Sequence, residues 1–398
     1  MKRREFLTLV PSAVAAAQDT KKKVAAVVTE YRYRSHADVV VGRILDGYYP
    51  NGVRTEPRTR IVSMYTDQIA PKDMSRDLAA KHGFKIYPTI AEALTLGGDR
   101  LAVDAVLLIG EHGNYPLNDK GQKMYPRYEL FEQIVALFKK SGRSVPLFSD
   151  KHLSYSWTKA KRMYDWSREL GFPFMAGSSI PVTVRVPPLD IPYGAKLDGA
   201  VAVGYGDNDA YGFHTLEALQ CMVERRRGGE TGIAAVEMLT GNAVWRWRDS
   251  DSGKWSVPLL QAALATHPKV KSGRMEDNVK RPALFLVEYV DGLKAAVYML
   301  NGHADAFLFS GRLTGQDRPV ACHFGFVDGG RDLPHFDGLT RCIEELFVTG
   351  KAVYPVERTL LTSGALSFLF ESMGKGRLPT PELKISYRSP RDIFLQRA

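Results

Sequence analysis

Asp150, Lys151 and His152 follow one another directly behind a short apolar run, Val145 to Phe148. A second ionisable pair, Glu111 and His112, follows the longest apolar run of the first half, Val103 to Gly110. Ionisable side chains at the carboxyl end of a buried strand stand where open α/β sheets hold their ligands. Asp209 and His214 come later, on a segment with helical spacing from Asp209 to Arg226 that also carries Glu217 and Cys221. Glu111, His112, Asp150, His152 and His214 form an alternative set, able in principle to ligate a divalent metal. With Lys151 as base, that set would suit a metal-assisted lyase, epimerase or hydrolase acting on a carbohydrate.

The elements that must position these groups are legible. An apolar strand, Val24 to Val28, leads through Thr29-Glu30-Tyr31-Arg32-Tyr33-Arg34 into a helix over 36–46, with Ser35 as N-cap and Asp38 in the reciprocal position. A strand–turn–helix of this kind binds dinucleotides when the turn is glycine-rich. This turn has no glycine and two arginines. Arg32 and Arg34 would either neutralise a pyrophosphate with their side chains or fill the cleft. Strands at Ile61–Tyr65, Ile86–Thr89, Val103–Gly110, Val145–Phe148 and Phe172–Ala176 alternate with helices, which predicts a doubly wound parallel sheet. Asp67, closing the second strand, occupies the position that contacts ribose hydroxyls in such sheets.

Beyond Pro181 the pattern changes. Pro187, Pro188 and Pro192 mark a crossing segment, and from Gly232 the sequence reads as antiparallel strands. These include Ile233–Leu239, Ala243–Arg248, Ala283–Tyr289, Lys294–Leu300, Ala304–Gly311 and Ala321–Phe326, followed by helices over 338–348 and 356–373. The expected divisions are 1–20 as an export signal, 21–180 as a Rossmann-like nucleotide-binding unit, 181–375 as an α+β unit for substrate and subunit contacts, and 376–398 as a tail.

The chain has 398 residues, 44% hydrophobic and 25% charged, ample for a core and incompatible with a wholly disordered chain. Lys2-Arg3-Arg4-Glu5-Phe6-Leu7, a short apolar run and Ala15-Ala16-Ala17 read as a twin-arginine (Tat) signal, so a periplasmic or secreted location is expected. The formal charge is +10, but basic clusters are short and scattered, which argues against nucleic acid as a partner. No later stretch is apolar enough to span a bilayer. Cys221, Cys322 and Cys342 have no metal-ligand spacing and read as buried thiols, with one disulfide open.

Several motifs together resemble the glucose-fructose oxidoreductase/inositol dehydrogenase (Gfo/Idh/MocA) family. They are Lys81-His82-Gly83-Phe84, Tyr87-Pro88-Thr89, Ala91-Glu92-Ala93-Leu94, and Val103-Asp104-Ala105-Val106-Leu107-Leu108-Ile109. Ser149-Asp150-Lys151-His152 stands where that family has Glu-Lys-Pro, and Tyr354 to Leu361 is similar to a segment of its secreted bacterial members. The resemblance implies oxidation of a sugar or polyol hydroxyl with NAD or NADP. It makes Lys151, His214 and Asp209 the catalytic candidates. Thr29, Glu30, Tyr31, Arg32, Arg34, Asp67, Gly110, Glu111 and Asp150 become the cofactor-binding candidates. A homo-oligomer formed through the carboxy-terminal sheet is also implied. The missing glycines keep a third reading open, an exported sugar-binding protein that has lost its cofactor.

Overall fold

The protein, described here from a computed structural model, is defined over residues 21–325 and 332–391. The twin-arginine segment lies outside the described residues. The first half builds β1 (Lys22–Val28), α1 (His36–Asp46), β2 (Thr59–Thr66), α2 (Ser75–His82), β3 (Lys85–Ile86) and α3 (Ile90–Thr95). It continues through β4 (Ala105–Ile109), α4 (Arg127–Ser141), β5 (Leu147–Asp150), α5 (Trp157–Glu169) and β6 (Phe174–Gly177). The six strands are parallel, in the order β3-β2-β1-β4-β5-β6, so the strand order reverses between β1 and β4. β4 is buried along its whole length, as its unbroken apolar run requires of a strand covered on both faces. Ser35 caps α1 by accepting the Asp38 amide, and the Asp38 carboxylate accepts the Arg34 amide in return.

The second half contains β7 (Arg185–Val186), β8 (Leu197–Gly204), α6 (Ala210–Val223), β9 (Ile233–Thr240), α7 (Asn242–Asp249), α8 (Val257–Leu264) and α9 (Met275–Asn278). After these come β10 (Ala283–Tyr289), β11 (Lys294–Met299), β12 (Leu308–Leu313), β13 (Val320–Phe324), α10 (His335–Thr349), α11 (Val356–Ser372) and β14 (Leu378–Pro379). Among the described residues its sheet has eight strands, ordered β14-β9-β10-β11-β8-β12-β13-β7. All pairings are antiparallel except β8 with β11.

The two halves interlock. α10 inserts Phe336, Leu339, Ile343 and Leu346 beside α1 on the parallel sheet. α11 packs against α5 and β6 on one side and α6 and β9 on the other. The division near residue 180 therefore marks a change of sheet within one packed unit.

One expectation needs correction. Ala243–Arg248 alternates apolar and basic residues like a strand but forms the helix α7. Gly241, at φ 60°, ends β9, and the helix then buries Val244 against the neighbouring sheet. Helices also lie on the outer face of the second sheet. α7 and α8 cover it, placing Val244, Leu259, Leu260 and Ala263 on Val201, Val203, Leu284, Ala296, Tyr298 and Leu308. Leu239 and Leu286, on the same face, are only partly buried. The three cysteines are buried and free. Up to Arg391 the tail runs against the second sheet, where β14 pairs with β9 and Tyr387 bridges to Glu230.

Candidate functional site

The site lies at the carboxyl ends of β1, β4 and β5, beside the point where the strand order reverses. Lys151 is the first residue after β5 and is only 4% exposed. Its backbone turns into the left-handed region at φ 67°, and its amide donates to the Gly177 carbonyl at 3.1 Å. His112 after β4 (φ 70°) and Arg34 after β1 (φ 58°) adopt the same conformation. A non-glycine residue held there costs on the order of 1–3 kcal/mol, and such strain gathers at working sites. The strain turns the side chains out of the strand direction at the rim of the sheet.

Lys151 Nζ meets His214 Nε2, which α6 brings from the second half. An ammonium only donates, so with Lys151 charged the imidazole proton is on Nδ1, a buried atom with no partner. Burial, and then the Lys151 charge, push His214 well below the usual histidine range, so the ring is neutral near pH 7. α6 can lie this close because Gly177 has no side chain. A Cβ there would stand 2.5 Å from Glu217 Oε1 and 2.9 Å from Thr359 Oγ1.

Glu111 is buried and ion-paired with Arg127, the first residue of α4, whose side chain is wholly buried. Burial alone would raise this carboxyl. Lys151 and Arg127 outweigh it and hold Glu111 well below the usual carboxylate range. The second arm of Arg127 approaches His152 Nε2 at 3.1 Å. Arginine only donates, so His152 also keeps its proton on Nδ1, again without a partner. Gly110 makes this crossing possible, because a Cβ there would stand 2.5 Å from Arg127 Cγ.

Asp150, fully buried, lies 2.6 Å from His36 Nδ1, and the His36 ring packs on His112 and Phe336. Burial and the His36 charge lower His112 to about 4. His335 is lowered to about 3 by burial and Arg43. Five of the nine histidines thus surround Lys151 or border its neighbours, and four of them are held neutral. Glu217, one turn beyond His214, is raised to about 7 by burial; one oxygen accepts the Ser178 amide at 2.8 Å and the other has no partner.

The remaining expected residues divide. Thr29 donates to the Glu111 carbonyl at 2.7 Å, tying the ends of β1 and β4 together. Arg32 pairs with Glu30 at 2.6 Å and approaches His112 Nδ1 at 3.4 Å, at the mouth of the cleft. Arg34 points away and pairs with Asp332 on the surface. Tyr31 is wholly buried in the core beside α1. Asp67 accepts the Tyr65 and Tyr115 hydroxyls at 2.9 and 2.6 Å. Asp209 does not reach Lys151. Its carboxylate accepts Gln122 Nε2 at 3.2 Å and the Lys123 amide at 3.0 Å.

The five-residue metal set is not assembled. Among the described residues no group of three or more His, Cys, Asp or Glu is placed to hold an ion. Arg127 takes Glu111 and one nitrogen of His152, His36 takes Asp150, and Lys151 takes His214. Arg127, His36 and Glu217 were not singled out from sequence. An arginine opening a helix directly after a loop gives little warning that it will be buried. The only sequence signal was that Glu111, once buried, needed a cation.

No family model matches the chain, and no curated protein matches it by sequence. Solved structures do match in fold. GenD2 from gentamicin A biosynthesis, in complex with NAD, superposes with a TM-score of 0.57 at 13% identity, covering 94% of this chain and 99% of that one. An oxidoreductase from Agrobacterium radiobacter in complex with NAD+, L-tartaric acid and magnesium gives 0.57 at 12% identity, covering 90% and 98%. Scyllo-inositol dehydrogenase from Lactobacillus casei with NAD(H) and scyllo-inositol gives 0.54 at 10% identity, covering 90% and 99%. The architecture, a Rossmann-like parallel sheet joined to a mostly antiparallel sheet, is shared with these enzymes over nearly their full length.

Proposed function

We propose that this chain is an oxidoreductase that acts on a hydroxyl of a carbohydrate-like small molecule with an NAD-type cofactor. The observation that carries the reading is the contact of Lys151 with His214 across the cleft, at the carboxyl end of a parallel sheet and beside its switch point. The fold shared with three NAD-bound enzymes supports it.

The residues suit the reacting end of such a cofactor. Buried polar atoms without partners, His214 Nδ1, His152 Nδ1 and Asp150 Oδ1, lie near Lys151 and would suit a ligand rich in hydroxyls. The pyrophosphate end is built differently from a glycine cradle. The Arg34 and Asp38 amides at the start of α1 already donate within the chain, so neutralising a pyrophosphate would fall to the Arg32 guanidinium at the mouth. When bound, the nicotinamide would accept the hydride leaving the carbinol carbon. Lys151 would donate to the substrate oxygen, and neutral His214, released from the lysine, would take the hydroxyl proton on Nε2. Arg127 and Lys151 keep Glu111 ionised at this end of the site.

Protein purified in its native state, then denatured, tests the reading by mass spectrometry of the released nucleotides. Stoichiometric NAD(H) or NADP(H), or a titratable affinity for added NAD, is the expected result. Absence of both would put the sugar-binding reading ahead. Export by the Tat route belongs to the same proposal, and amino-terminal sequencing of the mature protein from a cell fractionation tests it.

A further inference from the structure

The connection between β4 and α4, residues 111–126, is much longer than a βα unit needs, and loops of that length inside a packed fold usually have work to do. It is also held at more points than a surface loop requires. At its root Gln68 exchanges two hydrogen bonds with Asn114, at 2.8 and 3.2 Å, and Tyr115 donates to Asp67. Its middle is a compact turn. Leu117 bridges to Lys123, and Asn118 Oδ1 accepts the amides of Lys120 and Gln122 at 3.0 and 2.9 Å. Its far side reaches the second half of the molecule, where the Gln122 amide group and the Lys123 backbone amide both donate to Asp209.

Asp209 is the N-cap residue of α6, the helix that carries His214. The residue that opens the loop is Glu111, and the residue that follows it is Arg127, whose guanidinium lies 4.9 Å over the Tyr125 ring. One carboxylate therefore joins the helix that holds His214 to the loop whose two ends hold Glu111 and Arg127 beside Lys151.

We propose that Asp209 is a positioning residue: by strapping residues 111–126 to the start of α6 it fixes the buried Lys151–His214 contact and shields it from water. It touches neither Lys151 nor His214, so its effect passes through the strap.

The test uses the full mature chain without ligand. Hydrogen exchange followed by mass spectrometry reads the strap. Acetylation by acetic anhydride, quantified for each lysine, reads how well Lys151 is shielded. In the wild type Lys151 should acetylate at least tenfold more slowly than the exposed Lys81 and Lys375. Asp209→Ala should speed exchange over 112–125 by tenfold or more and bring Lys151 acetylation to within about threefold of those surface lysines, while β1 and β8 keep their protection. Asp209→Asn, which keeps an oxygen for the Lys123 amide, should fall between. Should Asp209→Ala fail to fold, Gln122→Ala removes one strap bond from the loop side and should shift both readouts the same way by about threefold. Unchanged Lys151 acetylation in the folded variants would overturn the proposal. So would exchange that rises evenly through the whole chain, because that reports general destabilisation.

Discussion

Lys151 and Arg358 are both buried cations, yet their surroundings differ in kind. Arg358, on α11, donates to Glu224 through Nε at 2.9 Å and through a second nitrogen. Tyr387 also donates to Glu224, Gln220 donates to Tyr387, and Tyr289 donates to Gln220. Nearby, Arg226 and two backbone amides satisfy Glu230. In that network only one nitrogen of Arg358 lacks a partner, and Arg358 and Glu224 themselves sit in helical backbone. Around Lys151, by contrast, His112, His152, His214, Asp150 and Glu217 each leave a buried polar atom unpartnered, and two backbones are left-handed. A saturated network staples elements together, here α6, α11 and the tail. An unsaturated, strained one costs stability, and proteins keep such sites where a ligand completes the bonding.

The largest effect should come from breaking the saturated cluster. Arg358→Met strands a fully buried Glu224 and should cost about 3–5 kcal/mol in urea unfolding. Lys151→Met should change stability by no more than about 1 kcal/mol, since Glu111 keeps Arg127, yet lower any carbohydrate oxidation by roughly 10²–10⁴-fold. If the two variants lost equal stability, the contrast between the clusters would fail.

Titration offers a second measure. Burial raises Glu217 from 4.5 to about 7, so the native state holds a proton that the unfolded chain releases. Its contribution is present below about pH 4.5 and is lost as the pH rises through 7, on the order of 3 kcal/mol in all. The histidines act in the opposite sense, so the informative quantity is the difference between wild type and Glu217→Gln across pH 4.5–7. That difference should fall as the pH rises, and a flat difference would remove Glu217 from the unsaturated set.

The smallest test concerns backbone strain. His112→Gly relieves a left-handed residue and removes an unpartnered ring nitrogen, and should gain up to about 1 kcal/mol. Thr362→Gly, in the regular α11 of the saturated cluster, should lose at least about 1 kcal/mol in the same thermal assay. Opposite signs for one kind of substitution would sharpen the distinction.

Much of this was legible before any coordinates. The apolar runs at Val24–Val28 and Val103–Gly110 specify strands covered on both faces, and Ser35 with Asp38 specifies where α1 begins. The order of the motifs carried the two-sheet architecture, and Lys151 and His214 stood out by type and place. Ala243–Arg248 misled because alternation over six residues also fits a short helix whose one apolar stripe meets a sheet. Local periodicity therefore determined the elements, and place and resemblance marked Lys151 and His214 as candidates. Only the tertiary structure decided the partners: that Arg127 rather than a metal meets Glu111, that Asp209 holds a loop, and that α7 and α8 close the sheet face. A buried charge must find a counter-charge, and an apolar face a cover. Which distant residue supplies either depends on how the chain closes on itself.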